Sequence, residues 1–156
     1  MRKILLGIIM LFAFSVYSNT QNITTRFIDK YNALTISLSN EYKIPASVIL
    51  SISIWESGSG TSKLSRTKHN YFGVKQGKHY RSYENDSISF RHFCEFTSKR
   101  KYYSKLINNN VTDYNIWVHN IQRGGYSQTK NWGKHIVDMI KIYNLNKIDN
   151  QYVFID

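Results

Sequence analysis

The stretch Ile44-Pro-Ala-Ser-Val-Ile-Leu-Ser-Ile-Ser-Ile-Trp-Glu-Ser-Gly-Ser-Gly-Thr-Ser-Lys-Leu64 decides the fold. Pro45 suits the first turn of a helix, and the apolar residues that follow would occupy several faces of that helix. Such a helix has to be buried, so we expect it to form the centre of the domain and to end near Glu56. Gly58 and Gly60 then supply a flexible turn.

Glu56 therefore lies between an apolar helix and a polar loop, and two interpretations of it are open. On a helix it shares a face with Ile52 and Ile49, whose apolar side chains would disfavour its ionised form. A carboxyl that keeps its proton near neutral pH is what a general acid for glycosidic bonds requires. Alternatively, it is an ordinary Glu near a helix end. This segment alone does not choose between them.

The N-terminus has the order of a secretory signal peptide. Arg2 and Lys3 precede an apolar stretch from Ile4 to Phe14 and then small residues, which predicts cleavage after Ser18. The apolar stretch is too short to span a bilayer comfortably, so a permanent membrane anchor is the less favoured alternative. We expect a signal peptide over residues 1–18, one domain over residues 19–156, and a location in the periplasm, cell envelope or extracellular space.

Charge and cysteine content narrow the class further. The net charge of +11 falls to +9 when Arg2 and Lys3 are removed, which favours acidic surroundings such as a cell wall. The basic residues are scattered and form no nucleic-acid-binding motif, so no nucleic-acid partner is expected. Cys94 is the single cysteine; it cannot form an internal disulfide, and we expect it to pack as an apolar residue in a helix.

The rest of the chain predicts a mainly helical (α+β) domain, monomeric, with a small β-hairpin between residues 72 and 83. We expect seven helices, over residues 25–42, 45–56, 61–66, 86–98, 102–107, 113–123 and 131–143. The expected N-terminal caps are Thr61 or Ser62 for the third helix, Asp86 or Ser87 for the fourth and Asp113 for the sixth. Residues 152–155 are apolar and predict a docked strand. Trp55 and Trp117 are expected in the core. His69 and His79 have no partner at metal-ligand spacing, so neither a metal nor a cofactor is expected.

Five segments together resemble a known family. They are Glu56-Ser-Gly-x-Gly-x-Ser-x-Leu64, Asn70-Tyr-Phe-Gly-Val-Lys75, Tyr80-Arg-Ser-Tyr83, Ser89-Phe90 with Phe93 and Phe96, and Trp117 followed by Gly125-Tyr-Ser127. Their order and spacing resemble the glucosaminidase-type domain of glycoside hydrolase family 73, found in bacterial autolysins and flagellar rod-cap proteins. The resemblance covers residues 44–145. It implies a lysozyme-like fold and cleavage of the peptidoglycan glycan strand beside N-acetylglucosamine.

The resemblance also implies roles for individual residues. Glu56 matches the catalytic acid, and Tyr126 matches a cleft tyrosine whose hydroxyl binds the reacting sugar or a water; otherwise it is a packing contact. The remaining substrate-binding candidates carry the same alternative of plain packing, and they are Asn70, Tyr71, Phe72, Tyr80, Tyr83 and Trp132.

One departure from the family affects the mechanism. Many members carry a second glutamate on a hairpin that follows the Phe-Gly-x-Lys motif, yet here Tyr83 follows Lys75 by only eight positions. Glu84 and Asp86 are possible substitutes, although a solvated carboxylate or a helix cap is the favoured interpretation of each. Without a second carboxylate, the substrate's own 2-acetamido oxygen or a water oriented by Tyr126 can complete the displacement.

The leading interpretation is thus an exported endo-β-N-acetylglucosaminidase acting on peptidoglycan. A muramidase or a lytic transglycosylase is the nearest enzymatic alternative, because each needs only one Glu acid in a similar cleft. An inactive peptidoglycan-binding module is the alternative from another class. An antibacterial effector or phage-like lysin would share the chemistry and differ only in biological role.

Overall fold

A computed structural model describes residues 2–149 of the chain, with side chains from residue 22 onward. The described residues form helices and one small sheet, in agreement with the predicted mainly helical class. The helices are α1 (Arg2–Tyr42), α2 (Ala46–Ser57), α3 (Lys63–Lys68), α4 (Asp86–Ser98), α5 (Lys101–Asn108), α6 (Tyr114–Arg123), α7 (Trp132–Ile142) and α8 (Asn146–Asp149). The strands are β1 (Lys75–Gln76) and β2 (His79–Tyr80).

Helix α2 is the buried centre of the domain, as predicted. Every residue from Ala46 to Ile54 is buried, and the helix packs against α1, α7, α8, α6 and α4. Gly58 ends it in a left-handed conformation with φ of 57°, and its backbone N–H lies at the carbonyls of Ile54 and Trp55. A residue with a Cβ is strained at this φ, so the glycine fixes where the helix stops. Glu56 is thereby held in the last turn.

Helix α1 is longer than predicted. The structure places its start at Arg2 and not at residue 25, because no proline or other strong helix breaker separates the apolar stretch from the amphipathic part. The predicted cleavage after Ser18 concerns processing and stays a prediction. Within the described residues, no helix combines the length and the apolar character needed to cross a membrane.

The predicted hairpin is present and short. Strands β1 and β2 pair antiparallel, with Lys75 opposite Tyr80 and Gln76 opposite His79. Asn70 ties its two ends together, since its side-chain nitrogen donates to the carbonyls of Val74 and Arg81, both at 2.8 Å. Its side-chain oxygen accepts from the Val74 N–H at 3.0 Å. One buried amide therefore sets the position of the hairpin.

Helix caps agree with the predictions in part. Ser62 caps α3 and Asp113 caps α6. The cap of α4 is Asn85, whose side chain accepts from the Ile88 N–H, so the prediction of Asp86 or Ser87 was wrong. Both Asn and Asp suit that position, and the sequence pattern could not separate neighbours.

Of three residues predicted to be buried in the core, two are buried and one is exposed. Trp117 and Cys94 are fully buried, as expected. Trp55 was also predicted to be core, yet 39% of it is exposed, and its indole stacks on the imidazole of His135. Trp55 lies in the last turn of α2, where the helix leaves the centre of the domain.

Helix α8 was not predicted; its Asp149 accepts from the backbone N–H of Ser47 at 2.8 Å. The predicted strand over residues 152–155 lies outside the described residues.

Candidate active site

Glu56 opens into a cavity of about 310 Å³. Three segments surround it: the chain just before and within β1, one face of α4, and the loop after α6. The lining residues are Glu56, Phe72, Gly73, Val74, Lys75, Phe93, Phe96, Gly125, Tyr126 and Ser127. Of these lining residues, Glu56 is the only one with a carboxylate. Four of the five segments of the resemblance thus contribute to the cavity around the predicted acid, and the Tyr80–Tyr83 segment does not.

The carboxyl of Glu56 is held by a tryptophan from a distant helix. The indole Nε1 of Trp132, the first residue of α7, donates to Oε1 of Glu56 at 2.8 Å. Burial raises the pKa of Glu56, and the hydrogen bond from Trp132 opposes this only in part. The direction is the one expected from its apolar surroundings. A neutral Glu56 can act as a proton donor at a higher pH than an exposed glutamate.

The second carboxyl oxygen faces a glycine. A Cβ added to Gly73 would lie 3.6 Å from Oε2 of Glu56, so the absence of a side chain leaves this oxygen accessible. Gly73 also has φ of 65°, which favours glycine. Since Oε1 accepts from Trp132, the proton of the neutral acid belongs on Oε2, the oxygen beside the open space.

Tyr126 lines the same cavity, and its hydroxyl has a defined partner. The hydroxyl donates to the backbone carbonyl of Phe72 at 2.9 Å, and the ring packs against Trp132 and Phe93. Burial, followed by the nearby charge of Glu56, raises the pKa of Tyr126 well above its ordinary value, so the hydroxyl stays protonated. With its proton committed to Phe72, the oxygen can only accept a further hydrogen bond, from a water or a sugar hydroxyl.

The structure separates the two aromatic residues of the Asn-Tyr-Phe-Gly segment. Phe72 lines the cavity and stacks on Phe93, with ring centroids 4.4 Å apart. Tyr71 points away into the core, where it packs on Phe27 and Phe90 and its hydroxyl lies 2.9 Å from that of Tyr31. Phe72 is thus part of the cavity, whereas Tyr71 belongs to the core.

The other predicted substrate-binding residues are outside the cavity lining. Asn70 is buried and positions the hairpin, as described above. Tyr83 is buried, and its hydroxyl is 2.8 Å from Nδ1 of His92. Tyr80 is exposed on β2, with the ammonium of Lys75 over its ring. Trp132 is buried and contacts Glu56 rather than the open cavity.

Neither candidate for a second carboxylate lines the cavity. Asp86 accepts from Tyr31, His69 and Lys30, and thereby joins α1 and the loop after α3 to the start of α4. Although burial acts in the opposite direction, these hydrogen bonds lower the pKa of Asp86 to about 2. Glu84 is exposed. Asp86 is thus neither a helix cap nor a solvated carboxylate, and the absence of a catalytic role for it and for Glu84 stays a prediction.

Seven lining residues were not predicted as site residues: Gly73, Val74, Lys75, Phe93, Phe96, Gly125 and Ser127. All seven lie within the segments of the resemblance, which was the available signal, but their spacing did not show which of them face the acid. Within the described residues, no three His, Cys, Asp or Glu side chains form a group suited to a metal ion.

The domain is mainly helical and lysozyme-like, with a half-buried glutamate, bonded to Trp132, in its cleft. The profile of the glucosaminidase family, described as mannosyl-glycoprotein endo-beta-N-acetylglucosaminidase, matches residues 32–145. The chain therefore belongs to this family, glycoside hydrolase family 73, and is a glycoside hydrolase. A comparison with curated protein sequences gave no match.

Solved structures support the fold. The catalytic domain of the autolysin Auto from Listeria monocytogenes has a TM-score of 0.69 at 17% identity, covering 81% of this chain and 87% of that one. The glycoside hydrolase domain of FlgJ from Salmonella typhimurium has a TM-score of 0.65 at 17% identity, covering 78% and 88%. A type VI secretion system effector-immunity complex from Pseudomonas protegens has a TM-score of 0.64 at 17% identity, covering 80% and 94%.

Proposed function

We propose that this glycoside hydrolase cleaves the glycan strand of peptidoglycan beside N-acetylglucosamine, with Glu56 as the general acid. The observation that carries the proposal is the carboxyl of Glu56, which is half-buried, bonded to Trp132 at one oxygen and open to the cavity at the other. The family match supports the reaction class. The autolysin and the FlgJ domain of similar fold, together with the strongly basic chain, support the wall as substrate.

The first chemical step needs one proton. Oε2 of Glu56 gives its proton to the glycosidic oxygen as the bond from that oxygen to the anomeric carbon breaks. Because no second carboxylate lines the cavity, the carbonyl oxygen of the substrate's own 2-acetamido group attacks the anomeric carbon and forms a cyclic oxazolinium ion.

The second step restores the acid. Water attacks the anomeric carbon, the bond from the acetamido oxygen breaks, and the water's proton passes to the carboxylate of Glu56. Two displacements at one carbon retain its configuration. The alternative is a single attack by a water that is oriented by a hydrogen bond to the hydroxyl oxygen of Tyr126 and loses its proton to the solvent, which would invert the configuration. NMR that identifies which anomer of the product forms first therefore distinguishes the two routes.

The decisive experiment is a digest of purified peptidoglycan by the protein and by Glu56→Gln, with the new chain ends identified by mass spectrometry. Reducing N-acetylglucosamine ends that the variant fails to make are expected. Reducing muramic acid ends would instead indicate a muramidase. Wall binding without products from the unsubstituted protein would contradict the hydrolase proposal and leave a binding module.

A lytic transglycosylase is the second candidate, because that reaction needs only one Glu acid and a single carboxylate lines the cavity. In that reaction no water enters, and the product carries an anhydro-muramic acid end. The same mass spectra separate the two reactions, because an anhydro end is lighter than a reducing end by one water.

We further propose that residues 1–18 are a signal peptide that is removed after export, which brings the enzyme to the wall. The basic residues before the short apolar stretch support this proposal. Sequencing the N-terminus of the protein recovered from the envelope or the medium of a producing bacterium tests it. A mature chain that begins at Asn19 is expected, and an intact N-terminus would point to a retained anchor.

A further inference from the structure

Trp55, which precedes the acid in sequence, is exposed to solvent although it does not line the cavity. Trp55 is 39% exposed at the end of a helix whose preceding residues are all buried. One face of its indole stacks on the imidazole of His135, with ring centroids 4.5 Å apart and planes only 10° from parallel. An exposed aromatic side chain held flat by a partner is preorganised for a ligand, since its conformational freedom is already restricted.

The position of this pair relates it to the reaction centre. Trp55 precedes Glu56 in α2, and His135 follows Trp132 by three residues, which is about one turn of α7. Both pairs, Trp55 with His135 and Glu56 with Trp132, join α2 to α7. The stacked pair therefore lies beside the hydrogen-bonded pair.

The cavity alone is small for a polymer. Its volume of about 310 Å³ is at the lower end of the range of roughly 300–1,000 Å³ seen for ligand pockets. Its lining comes from residues 56, 72–75, 93, 96 and 125–127 and includes no residue of α7. A strand that passes Glu56 has to continue over surface outside the cavity.

We propose that Trp55 and His135 form a binding shelf for a sugar of the glycan strand beyond the cavity. The apolar face of a pyranose ring stacks on the face of the indole opposite His135, and the imidazole holds that indole in place. The occupant is a neutral sugar of the same strand that reacts at Glu56. This inference rests on the proposed function, and it predicts that long strands are bound and cleaved better than short ones.

The first test needs no change to the shelf. Trp55 is exposed, whereas Trp117 and Trp132 are almost completely buried, so a solute quencher such as acrylamide reaches mainly Trp55. In Glu56→Gln, which binds without cleaving, peptide-free peptidoglycan strands are expected to reduce acrylamide quenching, whereas a disaccharide that fills only the cavity is not. Equal quenching with bound strands and without them would overturn the proposal.

The second test measures cleavage by Trp55→Ala against strands and against the shortest oligosaccharide that is cut. A loss of about five- to tenfold in kcat/KM is expected on strands only, which is the scale of one aromatic contact. Ile116→Ala, which removes another exposed apolar side chain, is the matched control and should leave both rates unchanged. An equal loss on both substrates, or none, contradicts the shelf.

The two proposals fail separately. If the unsubstituted protein makes no product from peptidoglycan, the proposed hydrolysis is wrong. If it cleaves peptidoglycan but Trp55→Ala keeps the same preference for strands, only the shelf is wrong.

Discussion

The indole nitrogen of Trp132 and the carboxyl oxygen Oε1 of Glu56 are joined by a hydrogen bond of 2.8 Å across 76 positions of sequence. This bond joins the end of α2 to the start of α7 and fixes which oxygen of the acid faces the cavity. It also stabilises the ionised carboxylate, in opposition to burial, so it sets how far the pKa of Glu56 rises.

Removal of this donor should therefore change the pH dependence of the enzyme. In Trp132→Phe, burial acts on Glu56 without opposition, and the pKa of Glu56 should rise further above its ordinary value. The alkaline limb of kcat/KM should shift to higher pH, because the acid keeps its proton longer. The rate at the optimum should fall roughly tenfold as the carboxyl loses its fixed orientation.

Trp117→Phe is the matched control for this experiment. It removes an indole that donates to the carbonyl of Val111, in the core and not in the cavity lining. It should lower stability but leave the pH profile in place. A profile that is unchanged in Trp132→Phe would show that the bond has no influence on the acid.

Gly73→Ala should impair activity more than stability alone explains. The new Cβ would lie 3.6 Å from Oε2 of Glu56, in the space that the glycosidic oxygen needs. Gly77→Ala is the matched control, because its φ of 62° is close to the 65° of Gly73 and nothing lies within 4 Å of an added Cβ. Both variants should lose roughly 1–2 kcal/mol of folding free energy. Only Gly73→Ala should lose activity at temperatures where both are folded; equal activity would argue against the assignment of Oε2.

The contacts of Asp86 predict a pH-dependent contribution to stability. Its pKa of about 2 lies below the value in an unfolded chain, so its ionised form stabilises the folded state. This contribution is complete above about pH 5 and is lost as the pH falls towards 2. Asp86→Asn should cost about 1–2 kcal/mol at pH 7, allowing for solvent screening of a partly exposed group, and the difference should shrink at low pH. Urea unfolding at pH 7, 4 and 3 measures this, and a constant difference would contradict it.

Glu84→Gln should leave activity and stability within about twofold and 0.5 kcal/mol of the original protein, because the side chain is exposed. A loss of roughly 100-fold or more in kcat would mean that Glu84 acts as a general base. The assay is turnover of peptidoglycan, with the folded fraction checked by circular dichroism.

Local features of the sequence predicted most of the fold. The apolar stretch before Glu56 identified α2 as the central helix, and the positive φ at Gly58 agrees with the predicted stop. The short distance from Lys75 to Tyr83 predicted a reduced hairpin. These features depend on periodicity, on turn chemistry and on chain length between motifs, all of which are properties of neighbouring residues.

What each aromatic residue does was decided only by the tertiary structure. Trp55 was expected in the core and is exposed, Tyr71 was expected at the cleft and is in the core, and Trp132 holds the acid instead of facing the open cavity. An indole or a phenol suits a core and a sugar-binding surface equally well, so its chemistry does not indicate its position. The sequence by itself therefore determined the central helix and its stop, and it singled out Glu56 as the candidate acid. Which oxygen of Glu56 carries the proton depends on Trp132, 76 positions away. Only the packing of α7 against α2 brings Trp132 to the carboxyl.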